Sequence, residues 1–315
     1  MYKSIAILMA TYNGEKYLKE QIDSILNQTY QDFVLYIRDD NSVDSTKKII
    51  EDYKRLYPEK IVEVKDEKIA RGACKNFMNL LEYVYNLKRH DLFMFADQDD
   101  FWLKNKVEIT VKEYNKISNT EQPILVHTDL NVVDSDLNLI SKSFINYSSL
   151  NSNCKEFNKY LIQNNVTGCT MLINEKLVEL VKFDIENIRM HDWYFALIAS
   201  AFGKVIFINS STIQYRQHDN NVLGAKKSNE IKEIYLKIKS NFKNQTIKRD
   251  LKELFKQANS FKKEHYELLD ENKQKILNEF CKIEDAKKLK KIKIIIKNKF
   301  YKQSFIKKIG ELIFI

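Results

Sequence analysis

The chain of 315 residues has few of the residues that interrupt regular structure, with only two prolines and six glycines. That scarcity excludes collagen-like repeats and flexible low-complexity linkers. The sequence also lacks an unbroken run of about 18 apolar residues, the length that a membrane-spanning helix needs. Near the N-terminus only Ile5 to Met9 are continuously apolar, which is too short for the core of a secretion signal. We therefore expect a soluble or peripheral protein.

The four cysteines are far apart and include no CxxC pair. A zinc site is therefore not expected, because such sites usually use paired cysteines at short spacing. Scattered cysteines without a secretion signal are typical of reduced thiols, which predicts a cytoplasmic protein. The hydrophobic fraction of 44% and the charged fraction of 30% are close to globular averages, and the length suits one large domain or two smaller ones.

Charge is unevenly distributed along the chain. The net charge is +9, yet residues 225–315 alone contain 25 Lys/Arg and 12 Asp/Glu, so the remainder is slightly acidic. The same C-terminal part is rich in Lys, almost free of Gly and without Pro, which predicts helices. We therefore divide the chain into residues 1–225 and 226–315 and expect the two regions to have different tasks.

Apolar runs of strand length alternate with segments of helical periodicity in the first region. The strand-like runs are residues 4–10, 33–37, 61–64, 91–96, 124–133, 169–174 and 204–209. This alternation is typical of an α/β fold with a mostly parallel sheet flanked by helices. Ligands of such sheets bind at the carboxyl ends of the strands. The polar clusters TYNG, RDDNS and DQDD each follow a strand, so we predict that they converge on one edge.

Asp97 and Asp99 are alternate carboxylates directly after the strand FMFA. They can reach one hard cation together, and Mg²⁺ or Mn²⁺ prefers such oxygen ligands, with substrate phosphates completing the shell. A cation there neutralises a departing diphosphate. The alternative interpretation is that these acidic residues only cap the next helix, because a D-x-D pattern alone is a weak signal.

Three further clusters are candidates for the same site. Asp39 or Asp40 could accept the imide N–H of uracil or thymine, although such residues also cap helices. Asp192, at the start of the predicted helix HDWYFALIASAFG, is a candidate general base, again with helix capping as the alternative. Arg216 and His218 could bind diphosphate oxygens or complete the metal shell; the alternative is a surface loop.

The order of these clusters resembles that of glycosyltransferase family 2 enzymes, which have the GT-A nucleotide-diphosphosugar transferase fold. ILMATYNGEKYLKEQIDSILNQTYQDFVLYIRDDNSVDST is similar to the family's start, and FADQDDFW to its D-x-D region. HDWYFALIASAFGKVIFINSSTIQYRQHDNNVLGA resembles a bacterial rhamnosyltransferase-like subgroup, and the likeness extends over residues 4 to about 226. The sequence departs from the commoner family motifs at two places, where it has DDNS in place of DDGS and HD in place of ED.

The resemblance implies roles for individual residues. Those expected to bind the nucleotide-sugar are Thr11, Tyr12, Asn13, Asp39, Asp40, Arg71, Asp97, Gln98 and Arg216. Those expected to hold a Mg²⁺ or Mn²⁺ ion are Asp99, Asp97 and His218. Asp192 is expected to be the catalytic base, with the departure from ED weakening that assignment.

The expected activity is an inverting, metal-dependent transfer of a sugar. The resemblance implies L-rhamnose from dTDP-L-rhamnose as the donated sugar and a surface polysaccharide or lipid-linked acceptor. A UDP-sugar is the alternative donor. A non-catalytic nucleotide-sugar binder and a nucleic-acid-binding protein are the alternatives of other classes. The carboxylates Asp97, Asp99 and Asp192 oppose the first, and the acidic N-terminal region and the absence of a nucleic-acid motif oppose the second.

The segment 286–308 holds ten Lys and no acidic residue, interleaved with Leu, Ile, Phe and Tyr. One interpretation is a solvated helix face. The other is a basic amphipathic segment that binds an anionic membrane surface, which predicts peripheral attachment to the inner face of the cell membrane. A third interpretation is that the same tail forms a dimer contact.

Overall fold

The computed structural model describes residues 4–66, 68, 70, 72–184, 186–218 and 241–302. They form two compact units. Within the described residues the first unit comprises 4–144, 166–183 and 204–218, and the second comprises 145–165, 184–203 and 241–302. The division after residue 225 stays a prediction from composition; the fold groups two earlier segments, 145–165 and 184–203, with the C-terminal helices.

Nine described strands belong to the first unit: β1 (Ile5–Thr11), β2 (Phe33–Asp39), β3 (Ile61–Glu63), β4 (Leu92–Ala96), β5 (Phe101–Trp102), β6 (Ile124–Val133), β7 (Leu139–Ser141), β8 (Met171–Asn174) and β9 (Lys204–Arg216). The described helices are α1 (Leu18–Leu26), α2 (Thr46–Leu56), α3 (Ala73–Asn86), α4 (Lys106–Tyr114), α5 (Phe144–Tyr147), α6 (Phe157–Tyr160), α7 (Glu175–Val178), α8 (His191–Phe202), α9 (Asn241–His265), α10 (Glu271–Cys281) and α11 (Lys288–Asn298). Helices α1 to α4 and α7 belong to the first unit.

The strands form one sheet in the order β3-β2-β1-β4-β8-β6-β9-β5, with β7 paired to β6. Strands β3, β2, β1 and β4 are parallel, whereas β8 runs antiparallel to both β4 and β6. The predicted α/β fold and the predicted strands are confirmed. The sheet is mixed rather than mostly parallel, because apolar periodicity locates a strand but does not reveal its direction.

The centre of the sheet is buried on both faces. Every residue from Ile5 to Met9 in β1 and from Leu92 to Ala96 in β4 is fully buried. Strands buried on both faces have continuous apolar sequences instead of alternating ones, which explains the two runs. Helix α3 packs on β1 and β2 with the apolar face that contains Phe77, Leu81 and Val84.

The parallel arrangement brings three strand ends to one edge. In the register of β1 and β2, Thr11 is paired with Asp39, and in that of β1 and β4, Met9 is paired with Ala96. The polar segments that follow these strands therefore start side by side, as the sequence predicted.

The second unit is a helical assembly with an aromatic core. Helix α8 is buried on nearly all sides, as expected for a helix that is apolar around its circumference. Phe280 of α10 lies between two other aromatic rings, with centroids 5.3 Å from Phe255 and 5.1 Å from Phe300. The predicted helical character of the C-terminal region is confirmed for residues 241–302. Among the residues that the structure describes, no helix is both long enough and apolar enough to span a membrane.

Candidate functional site

Gln98 fixes the loop after β1 against the D-Q-D segment. Its side-chain oxygen accepts the N–H of Tyr12 at 2.8 Å, and its amide nitrogen donates to the Tyr12 carbonyl oxygen at 3.0 Å. A Cβ at residue 14 would lie 2.3 Å from Gln98 Oε1, so any residue larger than Gly14 would displace the Gln98 side chain from this pair. Two of the three predicted clusters therefore meet through specific hydrogen bonds.

Asp39 joins the second cluster to the first. Thr11 Oγ1 donates to one carboxylate oxygen at 3.0 Å, and the N–H of Ser42 donates to the other at 2.8 Å. Ser42 Oγ in turn accepts the N–H of Asn13 at 2.8 Å. A carboxylate can accept about four hydrogen bonds, so Asp39 keeps capacity for a donor on a ligand. The contribution of Ser42 was not predicted; its place two residues after Asp40 was the available signal.

Two asparagines give these loops their turns. Asn13 and Asn41 have φ angles of 48° and 63°, in the left-handed region that glycine and asparagine tolerate best. Asn13 also accepts the N–H of Val43 through its side-chain oxygen at 2.9 Å. The backbone at residue 41 therefore explains why DDNS can stand in place of DDGS.

Asp40 and Arg38 hold the segment that follows β3. Asp40 accepts the N–H of Ala70 at 3.1 Å, and the buried guanidinium of Arg38 donates from Nε to Asp66 at 3.1 Å. That hydrogen bond to Arg38 lowers the pKa of the Asp66 carboxyl. Arg71, predicted to support the nucleotide, lies outside the described residues.

Asp99 and His218 form the pair of potential metal ligands that the structure brings together. The distance from Asp99 Oδ2 to His218 Nε2 is 2.9 Å, and both side chains are partly buried. Asp97 offers an oxygen within 4.8 Å of ligand atoms of Asp100 and Cys169. Carboxylate oxygens are the ligands that Mg²⁺ and Mn²⁺ prefer, and imidazole is a common nitrogen ligand of transition metals. The chemistry of these donors fits a divalent cation.

The guanidinium of Arg216 is held in place by hydrogen bonds to other groups of the protein. Its Nε donates to the carbonyl oxygen of Asp99 at 2.9 Å, and its two terminal nitrogens donate to the carbonyl of Ser135 and the carboxylate of Glu20. Its guanidinium carbon lies 4.3 Å from the centre of the Tyr17 ring. These contacts fix the guanidinium of Arg216 beside the D-Q-D-D segment. The sequence pattern did not mark Glu20 or Tyr17 as site residues. Glu20 belongs to α1, and Tyr17 is the residue before that helix.

A buried cluster lies behind the D-Q-D-D segment. Asp100 is fully buried and accepts the N–H of Arg216 at 3.2 Å; burial and the charges of Asp99 and Asp97 raise the pKa of its carboxyl. Lys106 is also fully buried, with Nζ 4.4 Å from the centre of the Trp102 ring, and burial lowers its pKa to about 8. The sequence did not predict this cluster, because charged residues are usually exposed and only packing in the fold buries both Asp100 and Lys106.

Asp192, the predicted base, belongs to the second unit. It lies in the first turn of α8, is 9% exposed, and accepts the N–H of Trp193 at 2.6 Å. The indole N–H of Trp193 donates to the carbonyl of Tyr160 at 2.5 Å, which fixes this turn to α6. The neighbouring His191 is buried, and burial lowers its pKa to about 3.

Comparison with known proteins gives consistent results. The family model described as Glycosyl transferase family 2 matches residues 6–180. A dTDP-rhamnosyl transferase, RfbG of Shigella flexneri, is 32% identical over 234 residues, which cover 69% of this chain and 74% of that protein.

Two solved structures are similar in fold. The S. aureus TarS 1–349 complex with UDP-GlcNAc has a TM-score of 0.53 at 16% identity and covers 94% of this chain and 88% of that one. The mannosyltransferase PcManGT from Pyrobaculum calidifontis, in complex with GDP-Man and Mn²⁺, has a TM-score of 0.52 at 12% identity and covers 94% and 74%.

Proposed function

Because the chain belongs to glycosyl transferase family 2 and has the GT-A fold, we propose that it carries out an inverting, metal-dependent transfer from a nucleoside-diphosphate sugar. The observation that carries the proposal is the meeting of Thr11, Asp39, Gln98 and Asp99 at the carboxyl ends of β1, β2 and β4. Ligands of open α/β sheets bind at such an edge.

The nucleotide is proposed to bind at the β1 and β2 ends of this edge. Thr11, Tyr12 and Asn13 line the pocket, and the spare hydrogen-bonding capacity of Asp39 suits the imide N–H of a pyrimidine base. Asp40 supports the pocket by holding Ala70, in the segment that also contains Arg71.

The diphosphate is proposed to lie at the D-x-D end. Asp97 and Gln98 would bind the nucleotide-sugar there, and Asp99, Asp97 and His218 would hold a Mg²⁺ or Mn²⁺ ion. When bound, that ion supplies positive charge to the leaving diphosphate. Arg216 links the Asp99 backbone to Glu20 of α1 by hydrogen bonds and so stabilises this part of the site. It also contacts the diphosphate through its guanidinium.

The proposed base is Asp192. It removes the proton of the acceptor hydroxyl while that oxygen bonds to the anomeric carbon and the bond from that carbon to the diphosphate breaks. A single displacement of this kind inverts the anomeric configuration. The resemblance of the HDW segment to the rhamnosyltransferase-like subgroup supports the role.

The proposed donor is dTDP-L-rhamnose. It is supported by the 32% identity to a dTDP-rhamnosyl transferase over two thirds of the chain. A UDP-sugar is the second candidate, favoured by the similar fold of a protein solved with UDP-GlcNAc. Both nucleotides present a pyrimidine base, so Asp39 does not distinguish them.

The proposed acceptor is a surface polysaccharide or a lipid-linked saccharide, reached by a chain attached to the inner face of the cell membrane. The excess of 25 Lys/Arg over 12 Asp/Glu in residues 225–315 supports that position. Nucleic acid is not proposed as a partner.

The first test is thermal stabilisation by nucleotides and nucleotide-sugars with and without Mn²⁺ or Mg²⁺. A ligand that binds the native state raises the melting temperature. We expect a metal-dependent rise with dTDP and dTDP-rhamnose, and a smaller one or none with UDP compounds.

The Asp39→Asn variant tests the proposed base contact. It keeps the shape of the side chain, but its amide N–H₂ can face the imide N–H of the base, so that two donors oppose each other. It should lose most of the nucleotide-induced rise. A rise with UDP compounds alone would keep the transferase and overturn the rhamnose donor. No rise with any nucleotide in the presence of metal would contradict the proposed site.

A further inference from the structure

Helix α11 carries a second apolar stripe that the packing of the second unit does not use. Ile294 and Ile295 are buried and attach the helix to its unit. Leu289 and Ile296 lie on the other side and are 85% and 58% exposed, with Ile292 half-buried between them. The spacing 289, 292, 296 places the three side chains on one face.

The helix is anchored, so this stripe is a fixed feature of the surface. Asn158 of α6 donates to the carbonyl of Asn298 at 2.9 Å, and Lys159 donates to the carbonyl of Lys299 at 2.8 Å. Phe300, two residues after the end of the helix, is buried against Phe280 of α10. The buried face is thereby committed to the unit, and the exposed stripe points away from it.

Lysines border the stripe on both sides. Residues 286–302 contain eight Lys and no Asp or Glu. Lys288, Lys293 and Lys297 are exposed next to the apolar side chains. The nearby Glu279 of α10 pairs with Lys282 at 2.8 Å and also interacts with Lys297, so it removes only part of the positive charge.

We infer that the face of α11 formed by Leu289, Ile292 and Ile296 with Lys288, Lys293 and Lys297 docks on an anionic lipid surface. In such docking the apolar side chains enter the boundary between headgroups and acyl chains while the lysines contact lipid phosphates. A nucleic-acid backbone also attracts lysine, but it offers nothing to Leu289 and Ile296. The inference gives the proposed membrane attachment a defined surface and is independent of the donor sugar.

The test is flotation of the full chain with vesicles of equal parts phosphatidylglycerol and phosphatidylcholine, and with pure phosphatidylcholine. We expect the chain to float with the anionic vesicles at low salt, less so at high salt, and not with the neutral vesicles. Leu289→Ser with Ile296→Ser should weaken binding at least about tenfold, because the buried apolar area is lost. Lys293→Glu should weaken it about fivefold or more.

The matched control is Leu139→Ser with Ile140→Ser, which removes an exposed Leu and Ile from β7 in the first unit. It should float like the unchanged chain, and both double variants should keep the melting temperature and the nucleotide-induced stabilisation of the unchanged chain. Because stabilisation by nucleotide is read separately, failure of membrane docking is distinguishable from failure of the proposed transferase site.

Three results would overturn the inference. The first is a chain that stays in the lipid-free fraction with anionic vesicles at low salt. The second is undiminished flotation of the Leu289 and Ile296 double variant. The third is a dimer in solution that this variant converts to a monomer, which would assign the stripe to a second copy of the chain. If the first result is accompanied by salt-sensitive binding to DNA, the lysines are assigned to nucleic acid instead.

Discussion

The two units hold their important polar groups in different ways. In the first unit, Asp39, Gln98 and Asp99 are held by hydrogen bonds to neighbouring loops, and each keeps some access to solvent. In the second unit, His191 and Asp192 start a helix that is otherwise apolar and are nearly removed from solvent. The first unit orders these groups by hydrogen bonds between loops, and the second buries them at the start of a helix.

The difference suits the two chemical tasks proposed for this chain. Binding a nucleotide and a cation needs donors and acceptors at defined positions, which a hydrogen-bonded network provides before the ligand arrives. The proposed proton transfer needs a carboxylate at a fixed position, which the first turn of the buried helix α8 provides. The predictions below test this distinction.

The largest effect is expected from Asp192→Asn. If Asp192 takes the acceptor proton, the amide cannot replace it, and turnover should fall by roughly 10²–10⁴-fold. Nucleotide-induced thermal stabilisation should persist, because binding is assigned to the first unit. Initial rates of sugar transfer measure the effect, and Asp285→Asn, an exposed carboxylate of the second unit, is the control. Near-normal turnover of Asp192→Asn removes it from the role of base.

Asp99→Asn should have the next largest effect. Losing one anionic ligand weakens the stabilisation of the leaving diphosphate, and turnover should fall by roughly 10²–10³-fold. Unlike Asp192→Asn, this variant should also lose the metal-dependent part of the nucleotide-induced thermal shift. Asp136→Asn, an exposed carboxylate of the first unit, is the control. A metal-dependent shift that survives unchanged in Asp99→Asn would show that the ion binds elsewhere.

His191 predicts a pH dependence of stability in the second unit. Burial lowers its pKa to about 3 in the folded chain, below the value of about 6.5 expected when unfolded. Between these values the unfolded state binds a proton that the folded state excludes, so stability falls as pH decreases from about 6.5 toward 3. The slope from this group is about 1.4 kcal/mol per pH unit.

The measurement is urea unfolding of the unchanged chain and of His191→Gln over this pH range. Groups other than His191 titrate in both proteins, so the difference between their free energies of unfolding isolates the histidine. That difference should shrink as the pH falls. A constant difference would contradict the burial of a neutral His191.

Gly14→Ala is expected to have the smallest effect and to act on the hydrogen-bonded network. The new Cβ would displace Gln98 and loosen the Tyr12 loop, with a loss of about 1–3 kcal/mol in stability and weaker nucleotide binding. The test is a double-mutant cycle with Gln98→Ala. Introducing Gly14→Ala into the Gln98→Ala background should cost little, because the clash has been removed. Equal losses of stability in both backgrounds would show that Gly14 is needed for a reason other than its contact with Gln98.

The strand pattern and the places of the clusters were predictable because they depend on local sequence. Buried parallel strands need continuous apolar runs, and polar residues at their ends must meet where the strands are parallel. This logic placed Thr11, Asp39 and Gln98 at one edge and marked Asp99 as a candidate ligand. It also located the helical C-terminal region through its lack of Gly and Pro.

Only the tertiary structure decided the rest. The antiparallel direction of β8 and the engagement of Arg216 by Glu20 join elements that are distant along the chain. The burial of Lys106 was also decided by packing, although Asp100 is only six residues away in sequence. The exposed stripe of α11 was decided in the same way, since the sequence shows apolar residues around the helix but not which of them its neighbours cover. Local periodicity and residue type specify the elements; which faces become core depends on packing between distant segments, which no local pattern encodes.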